Sequence, residues 1–292
     1  MTLASKFTVA RTILAPLFVV VATMAFPHWN IWAAIIFILA SVTDMVDGQI
    51  ARKYNQISDF GKLVDPIADK LLLSAAMLVL VQWGKFPSWV AMVMITRDII
   101  VSAFRITAAN HGLVIAARNS GKIKTVLQMI AYGAYLFECD TIGLVFLIGG
   151  VATTVWSLVD YVYANRHILT VHTTGPFLFS FVAKLLTTYA IFYLVGIGAL
   201  SALFGMVFIG RDNIVSGVKV MASSHHTPIP LRISGVLRSI LQLAFFLAML
   251  LGLSMDTLLG QACLGIVVLV TVWSCLDVCS YQSRHKQTGR VQ

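Results

Sequence analysis

The chain has 292 residues, of which 59% are hydrophobic and only 11% charged, and its mean hydropathy is +0.87. A soluble domain needs roughly 25% charged residues to wet its surface, so this composition excludes a water-solvated globule and makes a bilayer the expected solvent. The formal charge of +9 fits the basic bias that orients membrane helices and attraction to anionic headgroups. It gives no ground for a nucleic-acid partner.

Helices satisfy their own backbone in hydrocarbon, and no strand-like alternation is sustained along the chain. The predicted fold is therefore an all-α, polytopic integral membrane bundle of about ten transmembrane helices. The spans lie near 9–26, 30–47, 62–83, 88–108, 122–138, 142–162, 177–195, 199–216, 236–252 and 259–279. The first runs directly into the second without a small-residue cleavage pattern, which predicts a retained helix rather than a signal peptide. With the N-terminus in the cytoplasm, every one of the 21 basic residues except Lys85 falls on the inner side, as the positive-inside rule requires. Cys275 and Cys279, one turn apart within an apolar span, read as packing rather than chemistry.

Carboxylates are costly near a membrane interior, so an acidic cluster there asks for a function. Asp44 and Asp47 are three residues apart and close the second span; Asp65 and Asp69 are four apart and open the third. Each pair shares a helix face, and a turn of about a dozen residues is expected to join them. Four carboxylates brought together repel one another unless a hard dication is shared between them. Gly48, Ala51 and Gly61 leave room for close approach of a flat ligand, and Arg52 offers a guanidinium to phosphate. Such parts suit a metal-bridged pyrophosphate.

The segment from Asp44 to Asp69 resembles the signature of the CDP-alcohol phosphatidyltransferase family, with each residue type at its spacing. The resemblance implies that Asp44, Asp47, Asp65 and Asp69 hold divalent metal, two ions of Mg²⁺ or Mn²⁺, and that Asp69 is also the catalytic general base on the attacking hydroxyl. It implies that Gly48, Ala51, Arg52 and Gly61 cradle the CMP moiety of CDP-diacylglycerol. The reaction implied is in-line attack of an alcohol on the lipid-linked phosphorus, with CMP leaving.

The acceptor is read from other residues. Arg97 and Arg105 lie on one face of the fourth span, and Arg118, Lys122 and Lys124 surround the start of the fifth. A helix N-terminus favours anions, so this pocket suits an alcohol bearing its own phosphate and repels choline or ethanolamine. As a group, together with Thr8, Arg11 and Pro16 in the first span and Thr154-Val-Trp156-Ser157 in the sixth, these residues resemble the phosphatidylglycerophosphate synthase branch, over roughly residues 7–167. That resemblance implies sn-glycerol 3-phosphate as acceptor, with its phosphate bound by Arg97, Arg105, Arg118, Lys122, Lys124, Thr8 and Arg11, phospholipid (phosphatidylglycerol and cardiolipin) biosynthesis as the role, and a bacterial inner membrane with both termini and the active site cytoplasmic. The branch's asparagine- and proline-bearing lead-in is replaced by Leu3-Ala-Ser-Lys6-Phe7. Two alternatives stand beside this reading: inositol or inositol phosphate as acceptor, and a catalytically silent lipid-binding membrane protein.

An internal repeat appears at an offset of 114: between 97–128 and 211–242 there are 13 identities in 32 ungapped positions. Arg97-Asp98 returns as Arg211-Asp212, Arg105 as Lys219, Arg118 as Arg232 and Lys124 as Arg238. Asp65 and Asp69 fall on Phe179 and Ala183. The chain is thus expected to hold a six-helix catalytic domain at 1–170 and a four-helix degenerate partial repeat at 171–292. Enzymes of the resembled family are commonly homodimers, so the expected assembly is either a homodimer or an intramolecular pseudo-dimer.

Overall fold

The computed structural model describes residues 3–24, 27–53, 59–110, 119–166, 175–224, 229–230 and 232–288, and no strand occurs among them. The described residues form ten helices: α1 (Leu3–Thr23), α2 (Trp29–Lys53), α3 (Asp59–Gln82), α4 (Ser88–Asn110), α5 (Asn119–Leu136), α6 (Asp140–Ala164), α7 (Gly175–Gly196), α8 (Ala202–Ser224), α9 (Ile233–Leu250) and α10 (Leu258–Thr288). Each expected span coincides with one helix, but several helices outrun the apolar stretch. α2 continues past 47 to Lys53, and α3 begins at Asp59, inside what was expected to be a turn of about a dozen residues. Ala, Arg, Gln and Lys are good helix formers whether or not they are apolar, so hydropathy underestimates helix length there.

Two of the helices, α6 and α9, are inside-out relative to those of a soluble protein. The buried stripe of α6 is Gly143, Leu147, Gly150, Thr154, Ser157 and Tyr161, whereas Val145, Ile148 and Val159 are exposed and Trp156 is 71% exposed. In α9, Arg238 and Gln242 are buried while Ile233, Leu237 and Leu247 face outward. An aqueous surface selects the opposite pattern. Among the described residues, Asp140–Ala164, Ile233–Leu250 and Leu258–Gln282 are long and apolar enough to cross a membrane by length and composition. α3, α4, α5 and α8 carry charged side chains within their length, and the fold turns several of these inward.

The repeat is visible in the caps. The C-termini of α3 and α7 end on Gly84 (φ 69°) and Gly198 (φ 75°), and those of α5 and α9 on Glu138 (φ 61°) and Gly252 (φ 109°). Both pairs are 114 apart. The closing bonds also correspond: Lys85 N–H to Leu80 O at 3.0 Å matches Ala199 N–H to Leu194 O at 2.9 Å. Cys139 N–H to Ala134 O matches Leu253 N–H to Ala248 O, both 2.9 Å. These are the bonds of a left-handed helix stop, built twice.

The two halves pack through equivalent helices: α3 lies on α8, α4 on α7, and α4 also meets α8 while α3 meets α7. Since α3 corresponds to α7 and α4 to α8, this is the pairing of a two-fold interface. Polar bonds cross it, Asn213 Nδ2 to Ser74 Oγ at 3.2 Å and the Thr96 and Tyr189 hydroxyls at 2.5 Å. Glycines on α8 allow close approach: a Cβ on Gly205 would meet Leu78 Cδ2 at 3.0 Å, and one on Gly217 would overlap Ile67 Cγ1. Ile67 sits between Asp65 and Asp69, so overpacking here reaches the acidic pair. Gly217→Val is expected to lower the melting temperature by an amount equivalent to ~1–3 kcal/mol and to reduce turnover. Gly133→Ala, where a Cβ meets nothing within 4 Å, is the control and should melt at or slightly above the parent's temperature, since alanine favours helix over glycine.

Candidate active site

Asp65 and Asp69 stand one turn apart on α3, and α1 packs against that face. Thr8 and Arg11, three residues apart on α1, each reach a carboxylate of this pair among the described residues. Thr8 Oγ1 donates to Asp65 Oδ1 at 2.5 Å, and Arg11 Nη1 donates to Asp69 Oδ1 at 2.6 Å. The Arg11 side chain is 0% exposed while that of Asp69 is 37% exposed. A buried guanidinium therefore orients a carboxylate that still faces open space. Thr8 and Arg11, expected as acceptor-phosphate ligands, are here engaged with the acidic pair itself.

Asp44, Asp47, Gly48, Ala51 and Arg52 occupy the last turns of α2, and Gly61 the first turn of α3. Their side chains, and Arg118 altogether, lie outside the described residues, as does the convergence of the two acidic pairs. Accordingly no group of three or more His, Cys, Asp or Glu able to hold a metal occurs among the described residues. The donors that are described, two carboxylates on one helix face, fit a hard divalent cation with oxygen ligands.

The basic residues form a lattice around Asp98, whose carboxylate accepts from Arg97 Nη1 at 3.1 Å and Lys124 Nζ at 2.7 Å. Arg97 Nη2 also donates to Ser157 Oγ at 2.7 Å. Lys70 Nζ donates to Ser102 Oγ at 2.6 Å, which ties the residue after Asp69 to α4. Ser120 Oγ donates to Asp160 at 2.9 Å. Gly121 lies flush on this lattice, for a Cβ there would meet Arg97 Nη2 at 2.9 Å. Arg97 and Lys124 are thus held by Asp98. Arg105 is half-buried with its Nε unsatisfied, and Lys122 is exposed. Lys70, Asp98, Ser102, Ser157 and Asp160 join the basic residues here although their spacing in the sequence does not mark them out. The available signal was the cost of an aspartate inside a span, which demands a cation nearby.

The second half repeats the lattice contact for contact. Arg211 Nη1 meets Asp212 at 3.0 Å and its Nη2 meets Ser274 Oγ at 2.6 Å. Arg238 takes the place of Lys124 at 3.0 Å from Asp212. Lys184 Nζ donates to Ser216 Oγ at 2.8 Å, and Ser234 Oγ donates to Asp277 at 2.5 Å.

The described site thus sets an acidic helix pair beside a cation lattice inside an apolar helical bundle, residue types that suit a metal and a phosphate-bearing ligand. The family model for CDP-alcohol phosphatidyltransferases matches residues 1–156, and the chain belongs to that family. It is 43% identical over 148 residues to a CDP-diacylglycerol–glycerol-3-phosphate 3-phosphatidyltransferase of Bacillus subtilis, covering 47% of this chain and 77% of the relative. Enzymes of the same name from Sodalis glossinidius and Salmonella paratyphi A are 37% and 36% identical. They cover 56% and 54% of this chain and 95% and 92% of their own lengths. The family match ends before α7.

Proposed function

We propose that the chain transfers the phosphatidyl group of CDP-diacylglycerol to sn-glycerol 3-phosphate and releases CMP, a step of phosphatidylglycerol and cardiolipin synthesis. The observation that carries this reading is the similarity to enzymes named for that reaction, in a chain with the whole aspartate motif. Asp44, Asp47, Asp65 and Asp69 would hold the divalent metal, Mg²⁺ or Mn²⁺ in two sites, which when bound neutralises charge on the pyrophosphate oxygens. Gly48, Ala51, Arg52 and Gly61 take the CMP end. Asp69, aimed by Arg11, accepts the proton of the attacking hydroxyl. Thr8 and Arg11 then act as positioning residues. Arg105, Arg118 and Lys122 receive the acceptor's phosphate, with Arg97 and Lys124 set in place by Asp98. The site faces the cytoplasm, as do both termini, in a ten-span bundle in a bacterial inner membrane.

The domain reading belongs to the same proposal: 1–170 is catalytic and 171–292 is a metal-free repeat that takes a partner's place, making a pseudo-dimer within one chain. The two-fold pairing of α3 and α4 with α7 and α8 supports it. Native mass measurement in nanodiscs is expected to give one chain per particle. A stable two-chain complex with contacts inside 1–167 would contradict it.

The activity is tested by offering the purified protein CDP-diacylglycerol with glycerol 3-phosphate, inositol or inositol phosphate. Rapid CMP release with the first alone is expected. Preference for either inositol compound would overturn the acceptor assignment and leave the family chemistry intact.

A further inference from the structure

The half without the aspartates keeps its cations. Residues 171–292 hold eight lysines and arginines and three aspartates, and four of the cations converge. Arg211, Lys219, Arg232 and Arg238 line one cleft beside the start of α9, with Val236 and Val278 on its apolar side. Two carboxylates answer them: Asp212 at 3.0 Å from both Arg211 and Arg238, and Asp277 at 2.6 Å from Arg232. Among the described residues Lys219 has no carboxylate within ion-pair distance. The side chains of Arg211 and Arg238 are 9% and 5% exposed, and the Nε of each is buried without an acceptor. Cationic donors removed from water and left in surplus are costly unless an anion completes them.

A second cavity, of about 120 Å³, opens from Arg211, Lys219 and Arg238 toward α4 and is walled by Ile99, Ala103, Ile106 and Phe181. That is room for several water-sized groups, given that one needs roughly 10–15 Å³. A cationic end thus meets an apolar wall. Phe179 and Ala183 align with Asp65 and Asp69 of the first half, so the aligned positions offer no carboxylate to activate a bound phosphate ester.

We propose that this cleft is a second, non-catalytic site for a phosphate-bearing anion, held by Arg211, Lys219, Arg232 and Arg238. The phosphate is supplied either by a lipid headgroup or by a soluble phosphate, and the site stands whichever acceptor the first half uses. The test uses the full chain carrying Arg105→Ala, so that the first basic pocket contributes little. In phosphatidylcholine nanodiscs, melting is followed against inorganic phosphate and glycerol 3-phosphate. In discs containing phosphatidylglycerol, retained anionic lipid is counted by native mass.

One arm is expected to show about one anion per chain. Lys219→Gln, which breaks no ion pair among the described residues, should weaken binding by about 10-fold or more, the worth of one charged hydrogen bond. Lys219→Arg should restore it. Val236→Lys, which adds the cation that the first half has at Lys122, should tighten binding, a gain that misfolding cannot mimic. Absence of binding in both arms, or equal binding by the parent, Lys219→Gln and Val236→Lys, would overturn the proposal.

Discussion

Asp65→Asn and Asp47→Asn are each expected to abolish CMP release while the protein still inserts and folds. An amide keeps the volume of the carboxylate and removes its charge. At Asp65 the amide oxygen can still accept from Thr8 Oγ1, which the native side chain does at 2.5 Å, so packing is kept while a hard oxygen donor is weakened. Asp69→Asn removes the base as well, and the chemical step should slow by about 10²–10⁴-fold. It also makes neutral the carboxylate that the buried Arg11 guanidinium meets among the described residues. Because Asp69 is 37% exposed, the stability lost should fall well below the ~3–5 kcal/mol of a fully buried pair. CMP release near the parent rate in any of the three variants would remove that residue from the assignment.

The second large effect is on the acceptor. Arg105→Ala and Lys122→Ala should each raise the KM for glycerol 3-phosphate by roughly 10- to 150-fold, the equivalent of ~1.5–3 kcal/mol for a charged hydrogen bond. The KM for CDP-diacylglycerol should change far less. Lys124→Ala should behave differently, since Lys124 is 2% exposed and bound to Asp98. Its removal unbalances a carboxylate that is only 16% exposed, so melting falls together with activity. Equal shifts of both KM values in the Arg105 and Lys122 variants would show that the basic residues do not choose the acceptor.

Most of the architecture was legible because the hydropathy of each span is a local property. Helix ends were less so: α2 and α8 continue beyond their apolar stretches through residues such as Arg52, Lys53 and Lys219 that favour helix without favouring lipid. The repeat was legible in its polar positions, and its extension to the caps at Gly84 and Gly198 needed backbone angles. The candidate site divides in the same way. Spacing alone pairs Asp65 with Asp69. It does not reveal that Thr8 and Arg11 reach across from α1, or that Arg97 and Lys124 share Asp98. Those partners are chosen by how helices pack, and a run of basic residues on the inner side looks the same whether each is paired or facing an acceptor. Gly217 likewise carries no local signal; its approach to Ile67 sets the second half beside the acidic pair.

The central claim is that an alcohol attacks the lipid-linked phosphorus of CDP-diacylglycerol at the aspartate site. It is tested most directly by identifying both products of one reaction. Purified protein in nanodiscs, given CDP-diacylglycerol, glycerol 3-phosphate and Mg²⁺, should form CMP and phosphatidylglycerol phosphate in equal amounts. Phosphatidate appearing with a cytidylylated glycerol phosphate would place the attack on the other phosphorus. That result, or no turnover with any divalent metal and acceptor, would contradict the account.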